Sequence, residues 1–181
     1  FDTRKAETLP RLTLLESERD GWWYAAPLPN KRLIVTLATD SEHIKQCGLR
    51  SPDHWLGQLL RTRNISRYLN GAQFLGEVFM RAAPSFLLYP VAGEDWLAVG
   101  DAASAYDPIS AQGIYKALND GIEAAIAIVE HDHVKFSSSV KSRFNSYISN
   151  RNYFYQQEGR WPDSLFWQRR SFRQSLGGIT V

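Results

Sequence analysis

The sequence predicts a mixed α/β chain of the α+β type, with an antiparallel sheet near its beginning and helices towards its end. Three short runs rich in β-branched and aromatic residues fill the first forty positions. Asp20-Gly21 and the segment from Pro27 to Asn30 separate these runs as turns. Further along, apolar residues recur at spacings of three and four from Ile114 to Val129, which is typical of a helix.

The three runs of the predicted sheet are Arg11 to Glu18, Trp22 to Ala26 and Arg32 to Ala38. Their close spacing predicts an antiparallel meander. On an extended strand Trp22 and Tyr24 lie on one face and Trp23 lies on the other. Trp22 and Tyr24 are candidate substrate-binding residues, although packing within a sheet is the commoner role of such aromatic residues.

The middle of the chain is predicted to combine one helix with short strands. Ser51-Pro52-Asp53 indicates a helix start, because Ser caps free N–H groups and Pro at the first helical position has no N–H to leave unpaired. This helix is expected to run to about Thr62. Further strands are expected at Gln73 to Ala82, Ser85 to Val91 and Trp96 to Val99.

Two long helices are predicted in the second half. The first carries one apolar stripe and ends near Glu130. Its stripe consists of Ile114, Ala117, Leu118, Gly121, Ile122, Ala125, Ile128 and Val129. Gly121 on this stripe indicates that another backbone packs closely against it. The second helix is expected from Lys135 to Gln157, and a short one from about Ser164 to Ser175. The inward residues of the second are expected to be Val140, Phe144, Tyr147 and Ile148.

Composition excludes several classes of protein. The chain has 181 residues, of which 44% are hydrophobic and 22% charged, so it is globular rather than disordered. A net charge of +2 is too small to imply nucleic acid or a membrane surface. No apolar run approaches the roughly 20 residues that span a bilayer. The single cysteine, Cys47, excludes an intrachain disulfide, and we expect a cytoplasmic protein without a metal site.

Two observations concern the extent of the chain. The chain begins with Phe1, and its one methionine is Met80, so we expect a processed or truncated chain or a portion of something longer. It also lacks the G-x-G-x-x-G turn that binds the phosphates of a dinucleotide.

The segment from Trp96 to Tyr115 is the most informative one. It combines a predicted strand, Asp101 at the carboxyl end of that strand, a loop containing Pro108, and the start of the first long helix. A carboxylate at a strand end can accept hydrogen bonds from the hydroxyls of a ribose or ribityl chain. Free N–H groups at a helix start stabilise an anionic ring edge. Together these features suit a cofactor with a polyol chain and an electron-accepting head.

The residues of this segment also resemble a known motif. Val99-Gly-Asp-Ala-Ala103, followed by Asp107-Pro108-x-x-x-Gln112-Gly113-Ile114, is similar to the second flavin-binding motif of FAD-dependent aromatic hydroxylases and flavin-dependent halogenases. The resemblance implies FAD as cofactor, with Asp101 on the ribityl chain and the backbone from Pro108 to Ile114 facing N1 and O2 of the flavin. The cofactor-binding residues implied are Gly100, Asp101, Pro108, Ala111, Gln112, Gly113 and Ile114. No catalytic residue is named.

The same resemblance distinguishes two branches. Trp22-Trp23-Tyr24-Ala25-Ala26-Pro27 resembles a degraded W-x-W-x-I-P halogenase signature. Tryptophan halogenases also carry a Glu two residues after the motif proline, where this chain has Ser110. The better match is therefore to halogenase-like monooxygenases, including those that modify protein-derived quinone precursors. The segment from Glu158 to Arg170 is similar to the ending of that subgroup.

The implied fold is the C-terminal part of a FAD-binding monooxygenase, with an antiparallel substrate-domain sheet and C-terminal helices. Residues 1–95 would hold mainly the substrate domain, 96–132 the flavin segment and its helix, and 133–181 the C-terminal helices. The nucleotide-binding part would lie outside this chain. Expected partners are a small aromatic or a protein or peptide substrate, and NAD(P)H or a flavin reductase as reductant. Two alternatives are a flavin-dependent reductase of an isoprenoid lipid and a non-catalytic partner-binding module.

The end of the chain is basic and aromatic. From Val134 onward there are eight basic and two acidic residues. Arginine beside stacking aromatic rings could hold single-stranded nucleic acid. We favour a helix that packs its aromatic residues and lays arginine over their faces, because no RNA-binding module accompanies the segment. No nucleic acid partner is therefore predicted, and a groove for a peptide is a third interpretation.

Overall fold

A computed structural model gives the structure of the chain and describes residues 1–6 and 12–171. The chain divides into two compact units. Unit 1 comprises Phe1–Met80 and Glu158–Arg170, and unit 2 comprises Arg81–Gln157 together with Ser171. The three regions predicted from the sequence, 1–95, 96–132 and 133–181, stay a prediction.

Unit 1 contains the antiparallel sheet, in the strand order β1-β2-β3. The strands are β1 (Leu14–Glu18), β2 (Gly21–Leu28) and β3 (Arg32–Thr39), so the predicted meander is confirmed. Trp23 pairs with Glu16 on one side and with Leu37 on the other. Asn30 and Lys31 make the turn between β2 and β3 with φ angles of 62° and 53°. Arg11, the predicted start of the first strand, lies outside the described residues.

The core of unit 1 forms where this sheet packs against helix α2 (Pro52–Leu59) and the 3-10 helix Ile65–Leu69. Helix α1 (Ser41–Gln46), which the sequence did not predict, contributes no buried residue. Trp23 is fully buried, and its ring meets that of Trp55 edge-on at 5.4 Å. Helix α2 begins at Pro52 as predicted but ends before Thr62, whose hydroxyl donates to the carbonyl of Leu59 at 2.7 Å. The side chain thus satisfies a carbonyl that a longer helix would have bonded internally.

Helix α5 (Leu165–Ser171) ends the described part of the chain and packs onto the sheet of unit 1. The Trp167 indole N–H donates to the carbonyl of Glu18 at 3.0 Å. Arg169 and Arg170 both pair with the Asp40 carboxylate, at 2.8 and 2.7 Å. Both arginines therefore form ion pairs within unit 1. The expected lack of a nucleic acid partner stays a prediction, and the predicted extension to Ser175 lies outside the described residues.

Unit 2 is built on two long helices, α3 (Gly113–Glu130) and α4 (His133–Gln156), close to their predicted bounds. The inward residues predicted for α4 are confirmed, since Val140, Phe144 and Tyr147 are buried and Ile148 is partly buried. Two short strands, β4 (Phe86–Leu87) and β5 (Ser104–Ala105), pair antiparallel in the same unit.

Three predicted strands are wrong or much shorter than expected. The range from Gln73 to Ala82 forms no strand, although Gln73 makes an isolated bridge with Asp2. Ser85 to Val91 is reduced to β4, and the range from Trp96 to Val99 holds only the isolated bridge of Leu97 to Ala92. The residues favour extended backbone, but strand propensity depends on a neighbouring strand against which side chains can pack. These segments have no long partner strand in the described residues.

The apolar stripe of α3 is correctly placed along the helix but is exposed in the described part of the chain. Ile114, Leu118 and Ile122 are 82%, 67% and 63% exposed. Open space surrounds Gly121, so the expected close backbone is absent from these residues. The buried side of α3 carries Lys116, Asp120, Ala124 and Ala127 instead. Periodicity identifies an apolar face, but it does not say which segment covers that face.

Candidate functional site

The predicted Gly-Asp pair forms a tight turn in unit 2. Gly100–Ala102 is a single 3-10 turn, and Gly100 is buried with a φ of +58°. A Cβ on Gly100 would lie 3.3 Å from the Cβ of Ala117, so both the backbone angle and the approach of α3 favour glycine. The side chain of Asp101, by contrast, is 80% exposed. The turn therefore packs its glycine against α3 and leaves its carboxylate accessible.

A buried carboxylate, Asp120, attaches this turn to α3. Asp120 is 1% exposed, and its Oδ2 accepts the backbone N–H of Gly100 at 3.1 Å. Its Oδ1 accepts a hydrogen bond from Arg143 of α4 at 2.7 Å. One side chain thus links the turn to both long helices. Sequence reasoning missed Asp120, Lys116 and Arg143.

Lys116 lies beside the same carboxylate. Its Nζ is 3.5 Å from Asp120 Oδ2 and 3.8 Å from Asp101 Oδ1. It also lies 5.1 Å from the centre of the Tyr106 ring. The side chain is 3% exposed, and its ammonium makes no hydrogen bond to any described residue. The available sequence signal was the Lys116–Asp120 spacing of four, on the side of the helix opposite the apolar stripe.

Burial, hydrogen bonds and nearby charges change the pKa values of two groups close to Asp120. Burial raises the pKa of the Tyr106 hydroxyl, and the nearby charge of Asp120 adds to that rise. Burial opposes ionisation of Glu123, but hydrogen bonds from Arg143, Ser139 and Asn119 lower its pKa overall. Arg143 also donates to both oxygens of Glu123, at 2.7 and 2.6 Å. It is therefore shared between two carboxylates.

A second buried carboxylate, Asp107, holds the loop that precedes α3. Its Oδ1 accepts the N–H of Ile109 at 3.0 Å, and its Oδ2 accepts the Tyr155 hydroxyl at 2.9 Å. Arg151 approaches Oδ2 at 3.4 Å. The N–H of Asp107 donates to the Tyr147 hydroxyl at 2.7 Å. Asp107 is thus engaged with α4, and its role in the motif is to fix the loop.

This loop leads into α3, which begins without a side-chain cap. Pro108–Ser110 is a 3-10 turn, and Ala111 follows in the left-handed conformation at φ 50° and ψ 25°. Gln112 precedes the helix but makes no side-chain capping bond, and open space surrounds the Cα of Gly113. The first-turn N–H groups of α3 are therefore available to an anionic or electron-rich ring edge.

The predicted residues fall into two places. The seven predicted cofactor-binding residues, from Gly100 and Asp101 to the segment 108–114, lie together in unit 2 around the first turns of α3. Trp22 and Tyr24, the predicted substrate-binding residues, lie in unit 1, where Trp22 is buried and Tyr24 is partly exposed. Both assignments stay predictions.

A cleft of about 180 Å³ opens between α3 and α4. Tyr115 and Lys116 of α3 and the preceding Gln112 line one side of the cleft, and polar residues of α4 line the other side.

Within residues 1–6 and 12–171, His, Cys, Asp and Glu side chains form no group of three or more that could hold a metal ion. Among the described helices, none has the length and apolar character needed to cross a membrane.

Comparison with known proteins supports the resemblance seen in the motif. No protein-family model matches the chain. It is 29% identical over 160 residues to the putative FAD-dependent oxidoreductase LodB of Marinomonas mediterranea, which covers 86% of this chain and 43% of that protein. It is 30% identical over 120 residues to 1H-pyrrole-2-carbonyl-[peptidyl-carrier protein] brominase of Pseudoalteromonas luteoviolacea, covering 64% of this chain and 29% of that protein. The chain thus spans less than half the length of either relative.

A solved structure shares the fold. The peptidyl tryptophan dihydroxylase QhpG, essential for tryptophylquinone cofactor biogenesis, matches with a TM-score of 0.78 and 24% identity, over 93% of this chain and 42% of that one. The chain corresponds to the C-terminal portion of these proteins, which confirms the predicted fold. The relatives and structural neighbours are FAD-dependent oxidoreductases and flavin-dependent halogenases, as the motif predicted.

Proposed function

We propose that this chain is the part of a FAD-dependent monooxygenase, of the halogenase-like branch, that contacts the ribityl chain and pyrimidine edge of FAD. The observation that carries the proposal is the pairing of an exposed Asp101 carboxylate with an uncapped helix start at Gly113. Two buried carboxylates hold these features in place: Asp120 bonds to the turn at Gly100, and Asp107 bonds to the loop before α3. This arrangement suits a ligand that offers hydroxyls at one end and an electron-accepting ring at the other.

Within this proposal each part of the segment has a role. Asp101 accepts hydrogen bonds from ribityl hydroxyls, and Gly100 allows the turn to lie close to α3. The backbone from Pro108 to Ile114, including Ala111 and Gln112, faces N1 and O2 of the flavin. The N–H groups there stabilise the negative charge that gathers on that edge when the flavin is reduced. FAD supplies the oxygen chemistry, while these residues bind and orient it.

The proposed substrate is an aromatic group, either free or carried by a protein. Two similar proteins support this choice, since QhpG is a peptidyl tryptophan dihydroxylase and the other is a 1H-pyrrole-2-carbonyl-[peptidyl-carrier protein] brominase. The reductant is NAD(P)H or a separate flavin reductase. Oxygen consumption coupled to a hydroxylated product distinguishes this reaction from reduction of an isoprenoid lipid.

FAD binding is the test of the proposed site. In the full-length protein, Asp101→Ala removes a charge-assisted hydrogen bond and should lower FAD affinity by about one to two decades. Asp95→Ala, which removes an exposed carboxylate of the same unit, is the control and should leave affinity unchanged. Flavin fluorescence quenching measures both. Residues 1–181 alone should bind FAD weakly, because the pyrophosphate needs a glycine-rich turn that they lack.

Unchanged FAD affinity in Asp101→Ala would show that the cofactor site has been placed wrongly. Tight binding by residues 1–181 alone would contradict the division of the site between this chain and a nucleotide-binding part.

A further inference from the structure

We propose that Lys116 is a positioning residue for Asp101, holding the exposed carboxylate in the orientation that binds the ribityl chain. The inference rests on the proposed function, because it concerns the same site. It starts from an unusual side chain: a lysine that is 3% exposed and whose ammonium makes no hydrogen bond to any described residue.

Burying an ammonium is unfavourable unless opposite charge compensates it. Lys116 has two carboxylates within reach, Asp120 at 3.5 Å and Asp101 at 3.8 Å. The Tyr106 ring, at 5.1 Å, adds a weaker attraction. The ammonium therefore lies between one carboxylate that is buried and one that faces solvent.

Asp120 alone does not compensate the buried positive charge of Lys116. Its Oδ1 already bonds to Arg143 at 2.7 Å, and its Oδ2 already accepts the Gly100 N–H at 3.1 Å. Arg143 also supplies a positive charge to Asp120, although it shares that charge with Glu123. Asp101, in contrast, has Lys116 as its one ion-pair partner in the described residues.

The effect of this pairing follows from the geometry. An exposed aspartate on a short turn has several side-chain orientations, and a ligand must select one of them. A fixed positive charge on one side favours the orientations that point towards it. Without Lys116, the Asp101 carboxylate would instead face the negative charge of Asp120 across the position that the ammonium leaves. Removing the ammonium should therefore weaken FAD binding through Asp101 and not through a general loss of structure.

A double-mutant cycle on FAD affinity in the full-length protein tests this. The variants are Lys116→Met, Asp101→Ala and the two together, with flavin fluorescence quenching as the readout and melting temperature recorded for each. We expect Lys116→Met to lower FAD affinity about fivefold when Asp101 is present and by less than about twofold when Asp101 is replaced. Lys135→Met, which removes a largely exposed lysine of α4, is the matched control and should change neither the FAD affinity nor the melting temperature. If Lys116→Met does not fold, Lys116→Gln replaces it in the cycle, since the amide keeps a polar group at this position.

The outcomes separate the two proposals. A loss that is equal in both backgrounds, or no loss with Asp101 present, overturns the positioning role and leaves the flavin site intact. If Asp101→Ala has the FAD affinity of the parent, the site itself is wrong, and the proposed function fails with it. A loss confined to the background that retains Asp101 supports the role of Lys116.

Discussion

The Asp120 carboxylate accepts the backbone N–H of Gly100 at 3.1 Å, and so connects the Gly-Asp turn to a helix position 20 residues further along the chain. The same carboxylate bonds to Arg143 and lies next to Lys116. A single buried group therefore fixes the backbone under the proposed ribityl site and compensates two positive charges.

The first prediction concerns this group. Asp120→Ala should lower the free energy of unfolding by about 3 kcal/mol, because it removes the buried carboxylate that Lys116 and Arg143 share and leaves each of them with one carboxylate, Asp101 or Glu123. Urea unfolding followed by the helical circular dichroism signal measures the loss. Asp95→Ala, at an exposed position of the same unit, should cost less than about 0.5 kcal/mol. Equal losses in the two variants would contradict the central role of Asp120.

The second prediction concerns the loop before α3. Tyr147→Phe removes the hydroxyl that accepts the Asp107 N–H at 2.7 Å and that also bonds to Ser85. A buried N–H without an acceptor should cost about 1–3 kcal/mol of unfolding free energy. Tyr153→Phe on the exposed side of α4 is the matched control and should be near neutral. Denaturant titration of both variants makes the comparison, and a Tyr147→Phe variant as stable as the control would count against it.

The third prediction concerns Ala111, which adopts φ 50°. Ala111→Gly should stabilise unit 2 by about 0.5–1 kcal/mol, because glycine reaches the left-handed region without a Cβ penalty. The same change at Ala125, exposed within helix α3, should destabilise by about 1 kcal/mol. The two substitutions should therefore move the thermal midpoint in opposite directions. A shift of the same sign in both would show that Ala111 is unstrained.

The fourth prediction is a dependence of stability on pH. Hydrogen bonds from Arg160 lower the pKa of Glu158 from 4.5 to about 2, against the opposing effect of burial and with help from Ser17. Because the folded pKa is the lower one, ionised Glu158 stabilises the fold above about pH 4.5, and this contribution is lost as the pH falls towards 2. The stability difference between the parent and Glu158→Gln should shrink over that range.

Urea unfolding at several pH values measures that difference. Arg160→Gln removes the main hydrogen-bond donor to the carboxylate and should flatten the same part of the profile. A difference that stays constant from pH 6 to about 2 would contradict the lowered pKa of Glu158.

The fifth prediction concerns the reaction. By the resemblance of the motif, Ser110 corresponds to the glutamate of tryptophan halogenases, and its hydroxyl lies 3.4 Å from the backbone N of Gln112. We expect no halide-dependent product from the full-length enzyme supplied with reduced flavin and chloride or bromide. Mass spectrometry of the products is the measurement, and an isotope pattern of bromine or chlorine would refute this expectation.

Local patterns predicted the elements that local patterns control. The meander followed from turn residues between β-rich runs, α3 and α4 followed from apolar spacing, and the start of α2 followed from its cap signal. The pair Gly100-Asp101 was found by its motif, and its turn fits the proposed contact. These features depend on residues that are close together in the chain.

Features that depend on distant residues were missed. The exposed face of α3 around Leu118 and Ile122 could not be assigned a covering segment from its own period. The strand predicted from Gln73 to Ala82 does not form, because no partner strand lies alongside this segment in the described residues. The grouping of Lys116, Asp120 and Arg143 required α3 and α4 to be placed side by side, which a single sequence does not specify.

The attachment of Asp107 to α4 has a consequence for the order in which the protein forms. Its partners Tyr147 and Tyr155 follow it by 40 and 48 residues, so both are synthesised well after the motif itself. Until that helix has left the ribosome and docked, the loop from Asp107 to Ala111 has its internal hydrogen bonds but lacks the contacts to α4. The segment proposed to bind the cofactor is therefore completed late, and its completion depends on a helix that carries none of the flavin-like motif.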